Sequence, residues 1–139
     1  MIFSGEKLFE EEDKPTGSKI ISEDKSNGVV ERESGWIGDI KGFGSFPSGK
    51  ATGSGRSLIH DNGITISSWQ GVFATENSQE LTFKGRDVNK DGKFIVLRTH
   101  FTKSERVNWM NGPVCILQGE FDVKNNCFKS IGYEWKTHH

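Results

Sequence analysis

The stretch Arg86-Asp87-Val88-Asn89-Lys90-Asp91-Gly92-Lys93-Phe94 (RDVNKDGKF) decides how this chain of 139 residues is read. Asp87, Asn89, Asp91 and Gly92 match the first, third, fifth and sixth positions of an EF-hand calcium loop. The twelfth position is Arg98, a cation where that loop needs a bidentate Glu. The flanking runs ELTFKGRDV and KFIVLRTHF are rich in β-branched and aromatic residues, so the segment reads as a turn between two strands, not as a metal site.

A three-residue loop, Lys90-Asp91-Gly92 with Gly92 left-handed, would set Asn89 opposite Lys93. In that register Leu81 faces Phe101, Phe83 faces Thr99, Gly85 faces Leu97 and Asp87 faces Ile95, giving one apolar wall. The reverse wall then carries Lys84, Arg86, Arg98 and His100. A second hairpin is expected around Asn125-Asn126-Cys127. It pairs Phe121 with Ile131, Gly119 with Tyr133 and Leu117 with Trp135, and leaves Glu120, Asp122 and Glu134 on its reverse side. Cys115 and Cys127 then lie roughly 30 Å apart, at about 3.3 Å per residue, too far for a disulfide.

The rest of the chain is punctuated in the same way. Asn27-Gly28, Ser34-Gly35, Pro47-Ser48-Gly49, Asp61-Asn62-Gly63 and Asn111-Gly112 supply turn chemistry between short runs such as SKIIS, GVVERES and ITISSWQGVF. Seventeen Gly against three Pro, with ten Phe and four Trp to fill a core, predict an all-β, closed antiparallel β-barrel of about eight strands. Ser104–Asn111 is the one helical candidate, with Ser104 as its N-cap and Gly112 as its end. Residues 1–17, with the run Glu10-Glu11-Glu12-Asp13, read as a flexible acidic arm to which Phe3, Leu8 and Phe9 could give an anchor; residues 18–137 read as a single barrel domain.

Eighteen basic and nineteen acidic residues, mixed along the chain, leave no positive field for a nucleic acid. Lys41-Gly42-Phe43-Gly44-Ser45-Phe46 looks like a cold-shock RNA motif but has no second aromatic motif beside it, and reads as a glycine-bent strand. Gly53-Ser54-Gly55 reads as a strand bend. His60, His100, His138 and His139 show no metal spacing, and the terminal pair reads as a tail. No signal peptide and no apolar run of membrane length is recognised, so the expectation is a cytoplasmic protein with no membrane, no metal and no cofactor.

From Gly53 to Lys136, the order G-S-G, S-W-Q-G (Ser68–Gly71), F-K-G (Phe83–Gly85), G-E-F-D (Gly119–Asp122) and Y-E-W-K (Tyr133–Lys136) resembles small uncharacterised archaeal proteins. Those proteins look like closed barrels of the calycin or allene oxide cyclase type, and the resemblance implies a barrel around a small apolar ligand. The expected lumen is lined by Trp69, Phe83, Leu97, Leu117, Tyr133 and Trp135. The alternatives are an isomerase or cyclase using Glu120, Glu134, Arg98 or His100 in a partly polar lumen, and a structural or protein-interaction barrel with a filled core. The charged faces of the two hairpins read first as solvated exterior. Homo-oligomerisation is open.

Overall fold

The computed structural model describes residues 5–136; Phe3, His138 and His139 lie outside that span. Eight strands run in chain order: β1 Lys7–Asp24, β2 Val29–Gly42, β3 Gly49–His60, β4 Ile64–Thr75, β5 Glu80–Lys90, β6 Lys93–Phe101, β7 Val114–Asp122 and β8 Cys127–Trp135. Each pairs antiparallel with the next, and β8 returns to β1, so the sheet closes without a free edge. A short 3-10 helix, η1 (Glu105–Asn111), follows β6. Gly112 ends it through a backbone bond to Trp109, but Ser104 makes no side-chain cap.

The N-terminal acidic run is part of the wall, not an arm. Lys7–Asp13 pairs with β8 on one side and, from Phe9 onward, with β2 on the other. The Pro15-Thr16-Gly17 punctuation marks a shift of register between Pro15 and Gly17, where a residue without an amide hydrogen is tolerated. Ser34-Gly35 is likewise no turn, since β2 runs through it to Gly42. Gly53-Ser54-Gly55 does not bend its strand: β3 keeps an unbroken register on both sides.

The decisive hairpin turns in two residues instead of three. Asp91 and Gly92 both take positive φ, 54° and 80°, the backbone of the tight turn that matches strand twist, so Lys90 pairs with Lys93. This shift by one residue moves every side chain of β6 to the other face. Phe94, Val96, Arg98 and His100 point inward and are buried, while Ile95 and Leu97 point outward, Leu97 at 47% exposure. The last hairpin closes over four residues, pairing Asp122 with Cys127 and Phe121 with Phe128. Trp135 is consequently outside and 51% exposed, whereas Leu81 and Leu117 are inside as expected.

The lumen is packed by large rings set against glycines on neighbouring strands. Trp36 lies over Gly53, where a Cβ would meet its indole at 2.4 Å, and Phe9 lies over Gly132 at the same separation. Only a residue without a side chain leaves room there. At the end capped by η1, Phe46 enters from the β2–β3 loop and stacks on Phe9 with ring centroids 4.7 Å apart. Val107 and Met110 of η1 complete that cap. The KGFGSF motif therefore contributes a core ring, from a loop.

Gly53→Ala would drive a methyl group into Trp36. Overpacking of this kind costs about 1–3 kcal/mol, and the loss should appear as a lower midpoint of denaturant unfolding with an unchanged slope. Wild-type stability in this variant would mean that Trp36 does not rest on Gly53.

A candidate functional site in the barrel lumen

Two strands far apart in sequence bring the site together. Arg98, on the inner face of β6, donates to both carboxylate oxygens of Glu11 on β1, at 2.6 and 3.0 Å. Both side chains are almost wholly out of water. The guanidinium also lies over the Phe83 ring at 4.8 Å and the Trp36 ring at 5.7 Å. Burial pushes the Glu11 carboxyl upward, but the charge and hydrogen bonds of Arg98 outweigh it and hold Glu11 below its ordinary range.

Asp13, the next inward residue on β1, is in the opposite state. Burial, together with the Glu11 charge and a hydrogen bond to Glu11, pushes its pKa up to about 10. One proton is thus held between the two carboxyls, on Asp13, which can donate to Glu11 while its Oδ1 remains without a partner. His100, 2% exposed, is surrounded by Phe46, Phe73 and Phe83. Burial, aided by Arg98, lowers its pKa to about 3, so it is neutral, and its Nε2 is unpartnered.

The half of the lumen away from η1 holds a polar cluster beside the packed rings of Phe94, Phe121 and Phe128. The hydroxyls of Ser57 and Ser67 are 2.7 Å apart, and Trp69 Nε1 donates to Asp87 at 3.2 Å. Burial raises the Asp87 pKa, against opposing hydrogen bonds from Trp69 and Ser67. Asp87 Oδ1 and Ser130 Oγ also lack partners. Trp69 and Asp87 are only partly buried, so solvent reaches this end.

Of the residues expected to carry chemistry, Arg98 and His100 share this lumen, and Glu120 does not. Glu120 is exposed on the outer wall opposite Lys93 and Lys129. Glu134 faces inward opposite Cys115, five residues along β8 from the partner of Glu120, or about 17 Å at 3.3 Å per residue. They are not neighbours. Of the expected lining, Trp69, Phe83 and Leu117 point inward; Leu97, Tyr133 and Trp135 point outward, a consequence of the two register shifts. Glu11, Asp13 and Asp87 were missed as functional candidates, the first two because the acidic run looked too charged to bury. The available signal was alternation: Phe9, Glu11 and Asp13 share one face of a strand. Among the described residues no cluster of three metal-ligating side chains forms, and both cysteines are free. Burial raises the Cys115 pKa to about 11.

No protein-family model matches the sequence. No curated protein matches it either. Solved structures do share its fold. A β-barrel-like protein from Acinetobacter baumannii superposes with a TM-score of 0.81 at 13% identity, covering 96% of each chain. A protein of unknown function from Clostridium acetobutylicum gives 0.78 at 14% identity, covering 96% of this chain and all of the other. An enzyme from Penicillium herquei gives 0.69 at 17% identity, covering 93% of this chain and 92% of the other. The likeness is one of fold.

Removing one member of the buried ion pair leaves the other charge without compensation. Glu11→Leu should lower stability by about 3–5 kcal/mol in denaturant unfolding, and adding Arg98→Met should recover much of that loss. A double variant worse than the single would contradict the pairing.

The pH dependence of folding follows from Asp13 and His100. The stabilising contribution of Asp13 is complete below its ordinary value of 3.8 and is lost as pH rises toward about 10. That of His100 is complete above 6.5 and is lost as pH falls through about 3. Between pH 3.8 and 6.5 the two slopes, each at most about 1.4 kcal/mol per pH unit, oppose one another. His100→Gln removes the His100 slope, so stability relative to wild type should fall as pH rises through that window. Parallel curves for the two proteins would mean that His100 is not held neutral.

Proposed function

We propose that the lumen binds a small, mostly apolar molecule carrying one or two hydrogen-bonding groups. The observation that carries this reading is the set of inward polar atoms without partners, Asp13 Oδ1, Asp87 Oδ1, His100 Nε2 and Ser130 Oγ, within a barrel whose other lining is aromatic. Buried polar atoms are normally paired, and unpaired ones are most often accounted for by a ligand, water or catalysis. Trp69 and Phe83 would contact the apolar body, with Leu117 behind them. Asp87 would accept from the ligand, and so would Asp13 Oδ1, since the Asp13 proton is shared with Glu11.

A second reading, an isomerase or cyclase, draws support from the split protonation of Glu11 and Asp13. A carboxyl kept protonated at neutral pH beside a carboxylate and a cation is suited to protonating a bound substrate, with Arg98 stabilising the resulting charge. The Penicillium herquei enzyme with this fold is in keeping with it. So is the sequence resemblance to archaeal barrels of the allene oxide cyclase type, under which a confined lumen folds its substrate toward ring closure. A barrel with a filled core fits the η1 end, where rings close the lumen. Among the described residues no helix is long and apolar enough to cross a membrane, and our reading places the protein in the cytoplasm.

Native mass spectrometry of protein from its own source should show a retained small molecule that denaturation releases. Trp69→Phe and Asp87→Asn should each weaken rebinding of that molecule at least tenfold while circular dichroism shows the barrel still folded. Ligand-free wild-type protein that fails to quench or shift Trp fluorescence with any lipid-like or aromatic compound tested would remove the proposal.

A further inference from the structure

The chain keeps most of its irregular residues at one end of the barrel. Connections 25–28, 61–63, 91–92 and 123–126 at the other end are short hairpin turns, whereas 43–48 and 102–113 are longer and, with 76–79, gather around η1. Loops held by a rigid scaffold are where binding residues concentrate. These three connections enclose a cavity of about 680 Å³, within the roughly 300–1,000 Å³ of small-molecule sites. Phe46 lines it and packs beneath on Phe9 and Phe73, so the capped core separates it from the lumen.

The walls of this cavity are braced by their own bonds. The Glu76 amide donates to the Ser48 carbonyl at 2.9 Å, tying 76–79 to 43–48. The Thr75 hydroxyl accepts from the Gln79 amide at 3.0 Å, and the Ser104 hydroxyl donates to Gln79 Oε1, joining 76–79 to the start of η1. The side chains of Ser45, Asn77, Ser78 and Arg106 line the cavity and take no part in this bracing. Arg106 joins no ion pair among the described residues, and among them no Asp or Glu lines the cavity. Trp109, 41% exposed, adds an aromatic surface, held by an edge contact to Phe46 with centroids 6.1 Å apart. Ser78 holds a φ of 64°, the left-handed region. Asp91 and Asn126 share that region in hairpin turns and are residue types that tolerate it, whereas a serine there is strained and a glycine would not be. Strain kept beside a cavity points to a use for the side chain.

We infer that this cavity binds an acidic saccharide through one uronic acid ring, with the carboxylate on Arg106 and the C–H face of the ring on Trp109. Ring hydroxyls both donate and accept, and so do the hydroxyls of Ser45 and Ser78 and the amide of Asn77. A guanidinium with no acidic neighbour in the lining fits a carboxylate through two parallel bonds. An exposed indole beside polar groups suits a ring that is apolar on its face and polar around its edge. An apolar guest of the kind proposed for the lumen would leave these polar groups unpaired. A simple carboxylate would use Arg106 and leave Trp109 idle; a neutral sugar would do the reverse. The site is separate from the lumen and does not depend on what the lumen holds.

Isothermal titration calorimetry of the full chain with sodium glucuronate, glucose and sodium acetate, each up to roughly 50 millimolar, tests this. Circular dichroism and melting temperature serve as checks on the fold. Glucuronate should bind in the millimolar range, at least tenfold more tightly than glucose or acetate. Arg106→Gln should reduce glucuronate binding to the level of glucose, and Trp109→Ala to the level of acetate. Ser78→Gly should weaken it at least threefold while the melting temperature holds or rises. Should Trp109→Ala fail to fold, Arg106→Gln and Ser78→Gly decide alone. No binding of glucuronate across that range, equal binding of the three compounds, or binding unchanged in Arg106→Gln, in Ser78→Gly or in a folded Trp109→Ala would each overturn the inference.

Discussion

An ionised Glu and an ionised Arg inside a protein must satisfy one another, because each alone would cost several kcal/mol to remove from water. In this barrel that constraint joins the first strand to the sixth. Glu11 and Arg98 meet at 2.6 Å only because β8 pairs with β1 and closes the sheet. The pair then organises what lies around it. Its cation rests on the Phe83 and Trp36 rings, its anion adds to burial in keeping the neighbouring Asp13 protonated, and its positive charge adds to burial in keeping His100 neutral.

The lining of the lumen changes along its axis. Toward η1, Phe9, Phe46 and Phe73 fill the space, with backbone glycines making room for large rings. Toward the other end, Gly55, Ser57, Ser67 and Gly85 are small, Trp69 with Asp87 stands among them, and Phe94, Phe121 and Phe128 pack as a second group of rings. The ion pair and the carboxyl pair sit where these halves meet. Polar atoms so placed are shielded enough for their charges to interact strongly. A closed wall and a buried polar cluster thus come from the same placement of small and large residues.

Much of the architecture was legible in the residues. Gly, Asn and Asp at the hairpin turns, together with alternating β-branched and aromatic runs, describe eight short-linked antiparallel strands. Arg98 in place of a carboxylate dismissed the calcium loop, and the structure has a hairpin there. Arg98 and His100 could be picked out as chemistry-bearing, but not placed. β6 carries apolar residues on both faces, so apolar segregation favoured the wrong wall, and one residue more in the turn was enough to turn the strand over.

Local sequence determined that this chain makes strands, most of the places where they turn, and the one short helical segment η1 among the described residues, because those preferences are set by backbone sterics and hydrogen bonding within a few residues. Tertiary structure alone decided which wall faces inward and which charges are buried. The cost of burying Glu11 depends on Arg98, 87 positions away, and no local pattern carries that information. The same holds for β6, whose two apolar faces are distinguishable only once a closed sheet has given one of them an interior.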